Sequence, residues 1–298
     1  MSGQLRLDAS LEKGHAMKNE DKVFRYNGIL YPTIMSPEEN LKAMVNVEAR
    51  PDDVMLVAYP KCGFNWMFGV VKKIVAAVKG TESEMKMLPL IEFLDPVKQQ
   101  MLADLPSPRV LGTHMHLQNI PPSFFAKKTK MMVVFRNPKD TAVSYFHFTN
   151  NNPVLQPSES WDKFYSDFMQ GEVPWGCYFD YALAWEERID DPNVLVVTFE
   201  DMKQDMCKGI EQIAQFYGYS LTEDQVQSIA KASGFDAMKE SSKKTHGRIT
   251  DVIFRKGEVG DWKNHFTEDQ SQEMDAAFEK HLAGTKLGAK LKYDVYCK

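Results

Sequence analysis

Four short apolar runs punctuate this chain, at Val54–Ala58, Arg109–Thr113, Lys130–Phe135 and Val194–Phe199. Each is rich in Val, Leu or Met and is bounded by turn residues, the pattern of strands covered on both faces. Between them lie stretches with helical periodicity, at Asn65–Val78, Pro138–Phe148, Gly176–Asp190 and Met206–Tyr217. Pro138 suits the first turn of a helix, where no N–H is needed. The alternation predicts right-handed crossovers and an α/β fold: a single domain with a mostly parallel central sheet flanked by helices. A last amphipathic helix is expected over Thr267–Leu282, with Thr267 as its N-cap and Glu268 and Asp269 in its first turn.

Ligands of such sheets sit at the carboxyl ends of the strands. Lys61, His114 and Arg136 each fall one to three residues beyond a predicted strand end. The first connection is the most informative. The strand breaks at Tyr59-Pro60, Lys61 and Gly63 follow, and a helix starts at about Asn65. Free N–H groups at a helix start, the positive end of its dipole and a lysine make a phosphate site. The pattern G-x-x-x-x-G-K-[ST] is absent, and the lysine precedes the turn. This points away from ATP or GTP hydrolysis, leaves a nucleotide kinase the weaker reading, and favours another phosphate-bearing ligand.

The 298 residues, 43% hydrophobic and 26% charged, suit a globular protein with a large core. A net charge of −5 argues against a general nucleic-acid binder. No apolar run reaches the length of about 18 residues that spans a membrane, and Met1–Tyr26 lacks a signal-peptide core, so a cytoplasmic protein is expected. Residues 1–26 read as a flexible leading segment. The polar, charged stretch 239–256 reads as a mobile flap over a site. The four cysteines, Cys62, Cys177, Cys207 and Cys297, are scattered and read as reduced thiols. Cys62, beside Lys61 at a helix start, is expected to have a lowered pKa. His116 follows His114 by two residues and shares its face if the strand continues. No third ligand is spaced to complete a metal site, so no metal is expected.

Taken in order, several motifs resemble the cytosolic sulfotransferases, whose donor is 3′-phosphoadenosine-5′-phosphosulfate (PAPS). They are Ala49 to Asp53, Tyr59-Pro60-Lys61-Cys62-Gly63 with Trp66, and Thr113-His114. Arg136 to Tyr145, Trp161 and Phe199 to Met202 follow. Phe235 with Met238, Arg255-Lys256-Gly257 and Gly260-Asp261-Trp262 complete the set. They run from about residue 30 to about residue 285.

The resemblance implies that Lys61 and the amides of Cys62, Gly63, Phe64, Asn65 and Trp66 hold the 5′-phosphate, with Trp66 stacked on adenine. Arg136, Ser144, Arg255, Lys256 and Gly257 would hold the 3′-phosphate, and Phe199, Ser233, Phe235 and Met238 would complete the nucleotide site. His114 would be the general base, its ordinary pKa of about 6.5 lying near working pH. Lys61 would neutralise charge developing on the leaving oxygen. The product would be adenosine 3′,5′-bisphosphate, and no metal is required. Phe93, Met115, Phe148, Phe24 and Tyr26 lie at or near positions that line the family's acceptor pockets. This implies a small lipophilic phenol, alcohol or amine as acceptor.

The chain departs from the family at several points. Cys62-Gly63-Phe64-Asn65 replaces Ser-Gly-Thr-Thr, Gly112 replaces the lysine before Thr-His, and Phe199 and Ser233-Gly234 replace a tyrosine and Thr-Ser. The family's dimer motif survives only as Lys263 and Thr267. Glu268 and Gln272 stand for its valine and glutamate, which leaves a homodimer undecided. These losses keep a second reading open, a non-catalytic or very slow binding protein for the cofactor or a small ligand. The retention of His114, for which a binder has no use, favours the enzyme.

Overall fold

A computed structural model describes residues 3–80 and 90–298, without the side chains of 3–7, 244–246 and 248. Its centre is a four-stranded parallel sheet of β3 (Val54–Ala58), β4 (Val110–Thr113), β5 (Met131–Phe135) and β6 (Val194–Thr198), in the order β4-β3-β5-β6. All residues of β3, β4 and β5 are buried, as continuous apolar runs predict. Two earlier strands, β1 (Val23–Tyr26) and β2 (Ile29–Pro32), form a separate antiparallel hairpin. Asn27 and Gly28 both take positive φ at its turn, the geometry that matches strand twist.

The four predicted strands form, and each differs by at most one residue from its expected span. Arg109, Lys130 and Phe199 fall just outside. Phe199 instead opens a short helix, Phe199–Gln204, capped by the Thr198 side chain. Helices occupy Phe64–Lys79, Pro138–Asn151, Tyr178–Glu186 and Met206–Tyr217. The third starts two residues later than expected, after positive φ at Trp175 and Gly176, and ends four residues earlier, where 187–190 form a turn. The last long helix spans Glu268–His281, and Thr267 and Gln270 form a reciprocal capping box at its start.

Two polar segments carry helix. Residues 3–16 form a helix, followed by a 3-10 turn at Asn19–Lys22 and then β1. Gly14 seats this helix on the chain at Pro153, whose carbonyl oxygen would lie 2.7 Å from an added Cβ. The expected flap, 239–256, continues a helix from Phe235 to His246 and adds a short one at Thr250–Ile253. Several of its polar side chains are exposed on the helix surface.

The register aligns the carboxyl ends of the strands. Val57 pairs with Thr113, Ala58 with Val134, and Val134 with Val197. Strands β3 and β5 are neighbours, and the connection leaving β3 runs to β4 on one side while the one leaving β5 runs to β6 on the other. This is the switch point where open parallel sheets bind ligands. Lys61, His114, Arg136 and Phe199 emerge there together.

Candidate active site

The β3–helix connection is a tight turn. Lys61 takes φ 68 and Gly63 takes φ 101 before the helix opens at Phe64. A Cβ at Gly63 would lie 2.9 Å from the Phe199 ring, so glycine is needed both for the backbone and for the fit. The Lys61 ammonium lies 4.1 Å from the centroid of Phe148 and has no hydrogen-bond or ion-pair partner among the described residues. Burial lowers its pKa to about 7, with Arg136 and Arg255 adding repulsion.

Arg136 follows β5. Its guanidinium stacks 4.5 Å from the Phe199 centroid, and Nη2 donates to the Glu258 carbonyl at 2.7 Å. Arg255 and Lys256 donate to Asp261 at 2.5 and 2.6 Å. Burial would push the Asp261 carboxyl up, but Lys256, Arg255 and Asn264 outweigh it and hold it well below the ordinary range. Among the described residues the buried Nε atoms of Arg136 and Arg255 have no partner, and Arg136 Nη2 also lies 3.7 Å from Asp140. Ser144, half-buried, lies on the second turn of the 138–151 helix.

The remaining nucleotide-site candidates gather around the 64–79 helix. The Trp66 indole donates to the Ser233 carbonyl at 2.7 Å, and its ring lies 5.1 Å from Phe199. A Cβ at Gly69 would fall 2.1 Å from the Met238 methyl, and one at Gly257 would fall 2.1 Å from the Phe235 ring. The segment 255–262 is tied to the 138–151 helix by Asp140, which accepts from the amides of Gly260 at 2.7 Å and Trp262 at 3.0 Å. That bond joins R-N-x-x-D to R-K-G-x-x-G-D-W in space. Cys62 contradicts its expectation. It is fully buried, burial pushes the thiol up to about 12, and its sulfur lies 3.8 Å from the Thr141 hydroxyl. Burial outweighs the Thr141 hydrogen bond and the Arg136 charge, which pull the other way.

His114 sits one residue past β4. Its Nδ1 lies 2.7 Å from the Ala58 carbonyl oxygen. Since that oxygen can only accept, Nδ1 carries the proton and Nε2 is the open lone pair. Burial, aided by the Lys61 charge and opposed by the Ala58 hydrogen bond, lowers the ring pKa to about 4, below the ordinary value expected from the sequence. Glu92 fixes the backbone, accepting from the His114 amide at 2.7 Å and from the Thr113 hydroxyl at 2.9 Å. Burial raises the Glu92 carboxyl to about 7. His116 turns away, because β4 ends at Thr113, and its ring meets Tyr181 edge-on at 5.8 Å.

Aromatic rings enclose His114. Phe64 lies 4.9 Å and Trp175 5.4 Å from its centroid, and Phe93 lies 6.2 Å from Trp175. Phe64, which replaces a hydroxyl of the family loop, thus forms part of the wall beside the histidine. Phe93 and Phe148 are brought to the site. Met115 is buried in the core, and Phe24 and Tyr26 pack on Tyr31 of the hairpin. Glu92, Ala58 and Trp175 escaped the sequence reading. A turn at Pro174-Trp175-Gly176 was the one available signal for the last.

A model of the sulfotransferase domain matches residues 51–286. The chain is 55% identical over 293 residues to Sulfotransferase 6B1 of Danio rerio, covering 98% of this chain and 99% of that protein. It is 46% identical over 291 residues to Sulfotransferase 6B1 of Homo sapiens, covering 98% and 96%. Mouse sulfotransferase SULT7A1, solved in complex with PAP, superposes with a TM-score of 0.83 at 35% identity, covering 91% of this chain and 99% of that one. A parallel sheet with a cationic, glycine-shaped strand–helix turn at its switch point defines a class of anion-binding α/β proteins. Within that class, this chain belongs to the sulfotransferase family.

Proposed function

We propose that this protein moves a sulfuryl group from PAPS to a hydroxyl or amine of a small lipophilic acceptor. The observation that carries this is the meeting of two half-sites. Lys61, without a hydrogen-bond or ion-pair partner among the described residues, lies in the field of Arg136 and Arg255, and a neutral His114 with an uncommitted Nε2 lone pair stands next to it. The turn fits a phosphonucleotide. Gly63 and Gly257 let the Phe199 and Phe235 rings approach the backbone closely, and mouse SULT7A1 is solved with PAP. When bound, the donor supplies the sulfuryl group: the sulfur forms a bond to the acceptor oxygen or nitrogen as its bond to the bridging 5′-phosphate oxygen breaks.

Each residue then has one task. His114 Nε2 takes the acceptor proton, with Ala58 holding Nδ1–H so that the tautomer does not change. Lys61 offsets the negative charge that builds on the leaving oxygen. Arg136 and Arg255, with Ser144, Lys256 and Gly257, hold the 3′-phosphate, and arginine's planar fork suits that grip. Trp66, Phe199, Ser233, Phe235 and Met238 enclose the adenine. Phe93, Phe148 and Trp175 are apolar walls for the acceptor. No metal takes part in this scheme.

The test is transfer of labelled sulfate from PAPS to a pooled panel of phenols, alcohols, sterols and amines, with His114→Ala as control. Label in acceptor with the unmutated protein only supports the reading. Nucleotide binding without transfer to any acceptor favours a binding protein.

A further inference from the structure

Beside the nucleotide anchors stand two histidines with no task in the transfer. His147 lies three residues beyond Ser144 on the 138–151 helix, and His265 lies four beyond Asp261. Their Nε2 atoms are 2.9 Å apart, with the rings edge-on at 5.0 Å. Both residues are half-buried. His265 Nδ1 lies 3.3 Å from the Asp261 carbonyl oxygen, which can only accept, so that nitrogen carries a proton. In the neutral couple the His147 Nε2–H therefore donates to the His265 Nε2 lone pair, and His147 Nδ1 keeps a basic lone pair. One added proton fits there without breaking the bond between the rings, which becomes charge-assisted. A second would break it, so the two rings titrate as a unit.

The couple shares its surroundings with the 3′-phosphate candidates. Asp261, whose carbonyl faces His265, holds Arg255 at 2.5 Å and Lys256 at 2.6 Å with its carboxylate. Burial lowers the His147 ring to about 4, and the charges of Arg255, His265 and Lys256 push the same way, against Asp261. Carboxylates of the other elements packed on the 138–151 helix are engaged elsewhere. Asp251 of the Thr250–Ile253 helix pairs with Lys239 at 2.8 Å, and Asp275 of the 268–281 helix pairs with Lys139 at 2.6 Å. On the 161–170 helix Asp162 accepts from Gln270 at 2.8 Å, and the Trp161 ring stands 6.0 Å from His265. The free protein thus holds the couple neutral among cations, and a phosphate dianion on Arg255 and Lys256 would reverse that field. We infer that the His147–His265 couple is a titrating part of the 3′-phosphate site, neutral in the free protein and singly protonated when that phosphate is bound. The ligand it favours is a nucleotide with a phosphomonoester on its 3′ oxygen. The inference rests on the sulfotransferase reading, which puts the 3′-phosphate at Arg255. A nearby dianion raises the couple's pKa, so binding takes up a proton below pH 7. That window is separate from the one set by Lys61, whose pKa is lowered only to about 7.

The experiment follows the histidine ring resonances of the labelled protein by NMR from about pH 5 to 8: free, with PAP, and with adenosine 5′-monophosphate, which lacks the 3′-phosphate. His147→Gln and His265→Gln assign the couple among the seven histidines. Its midpoint should rise by about one pH unit or more with PAP, and far less with the monophosphate. If neither variant folds, the unmutated protein still decides. No histidine midpoint that rises with PAP alone overturns the inference. The second readout is the preference for PAP over the monophosphate, a ratio in which the shared 5′-phosphate and Lys61 cancel. Glutamine keeps a hydrogen bond but takes no proton. Either variant should therefore lose about three- to tenfold of that preference at about pH 5.5, and the deficit should shrink toward pH 8. An equal deficit at both pH values marks a structural contact and overturns the inference. No preference for PAP at any pH in the unmutated protein overturns the 3′-phosphate reading along with it, whereas a preference without a histidine shift overturns the inference alone.

Discussion

The Lys61 ammonium lies 4.1 Å from the centroid of Phe148, and no carboxylate of the described residues pairs with it. One residue belongs to the nucleotide turn and the other to the acceptor wall, so the two half-sites share a contact. A π face stabilises a cation weakly compared with a phosphate, so this lysine stays close to losing its proton.

Nucleotide affinity should therefore depend on pH through Lys61. Its pKa is lowered to about 7 by burial first, then by Arg136 and Arg255. Above pH 7 the free protein carries a neutral amine there, and a bound phosphate favours the ammonium. Binding then takes up a proton, and affinity falls as pH rises, approaching tenfold per unit. Calorimetric titration with PAP between pH 7 and 9, in buffers of different ionisation enthalpy, should show the uptake. Lys61→Gln should abolish it.

His114→Ala should reduce transfer by about 10²- to 10⁴-fold while leaving PAP affinity nearly unchanged. Single-turnover rates and a binding isotherm on the same preparation separate the two effects. Retained turnover would remove His114 as the base.

Arg136→Ala and Arg255→Ala should weaken binding of the 3′-phosphorylated nucleotide far more than that of the analogue lacking the 3′-phosphate. Loss of one charge-assisted contact corresponds to about 1.5–3 kcal/mol. Equal losses for both ligands would move these arginines elsewhere on the nucleotide.

Asp53→Ala should destabilise the fold by about 3–5 kcal/mol. Asp53 and Arg109 form a fully buried two-pronged pair, at 2.7 and 2.5 Å, at the entry to β3 and β4. Removing the carboxylate strands a buried guanidinium. Urea denaturation should report it, and Asp53→Asn should recover part of the loss.

Cys62 should resist alkylation in the native protein, whereas Cys177 and Cys207, both half-buried, should react first. Mass spectrometry after a short iodoacetamide exposure reads the order. Early modification of Cys62 would contradict its enclosure and its thiol pKa of about 12.

The sequence by itself determined the sheet and the ends of its strands. Apolar runs such as Val54–Ala58 and Met131–Phe135 are local signals, and a strand buried on both faces has no other composition available. It also placed Lys61, His114 and Arg136 at strand ends, since a residue's distance from the end of an element can be counted along the chain. Tertiary structure decided the rest. The proton on His114 depends on a carbonyl of another strand, at Ala58, and its backbone on a carboxylate 22 residues away, at Glu92. The pKa values of Lys61, Cys62 and His114 follow from enclosure, which neighbouring letters do not reveal, and Cys62 moved opposite to its local expectation. Helix in residues 3–16 and 235–246 was illegible because polar composition looks alike in an exposed helix and in a loop. The strained turn at Trp175 exists only because Tyr145, Leu30 and Tyr59 converge on it from distant parts of the chain.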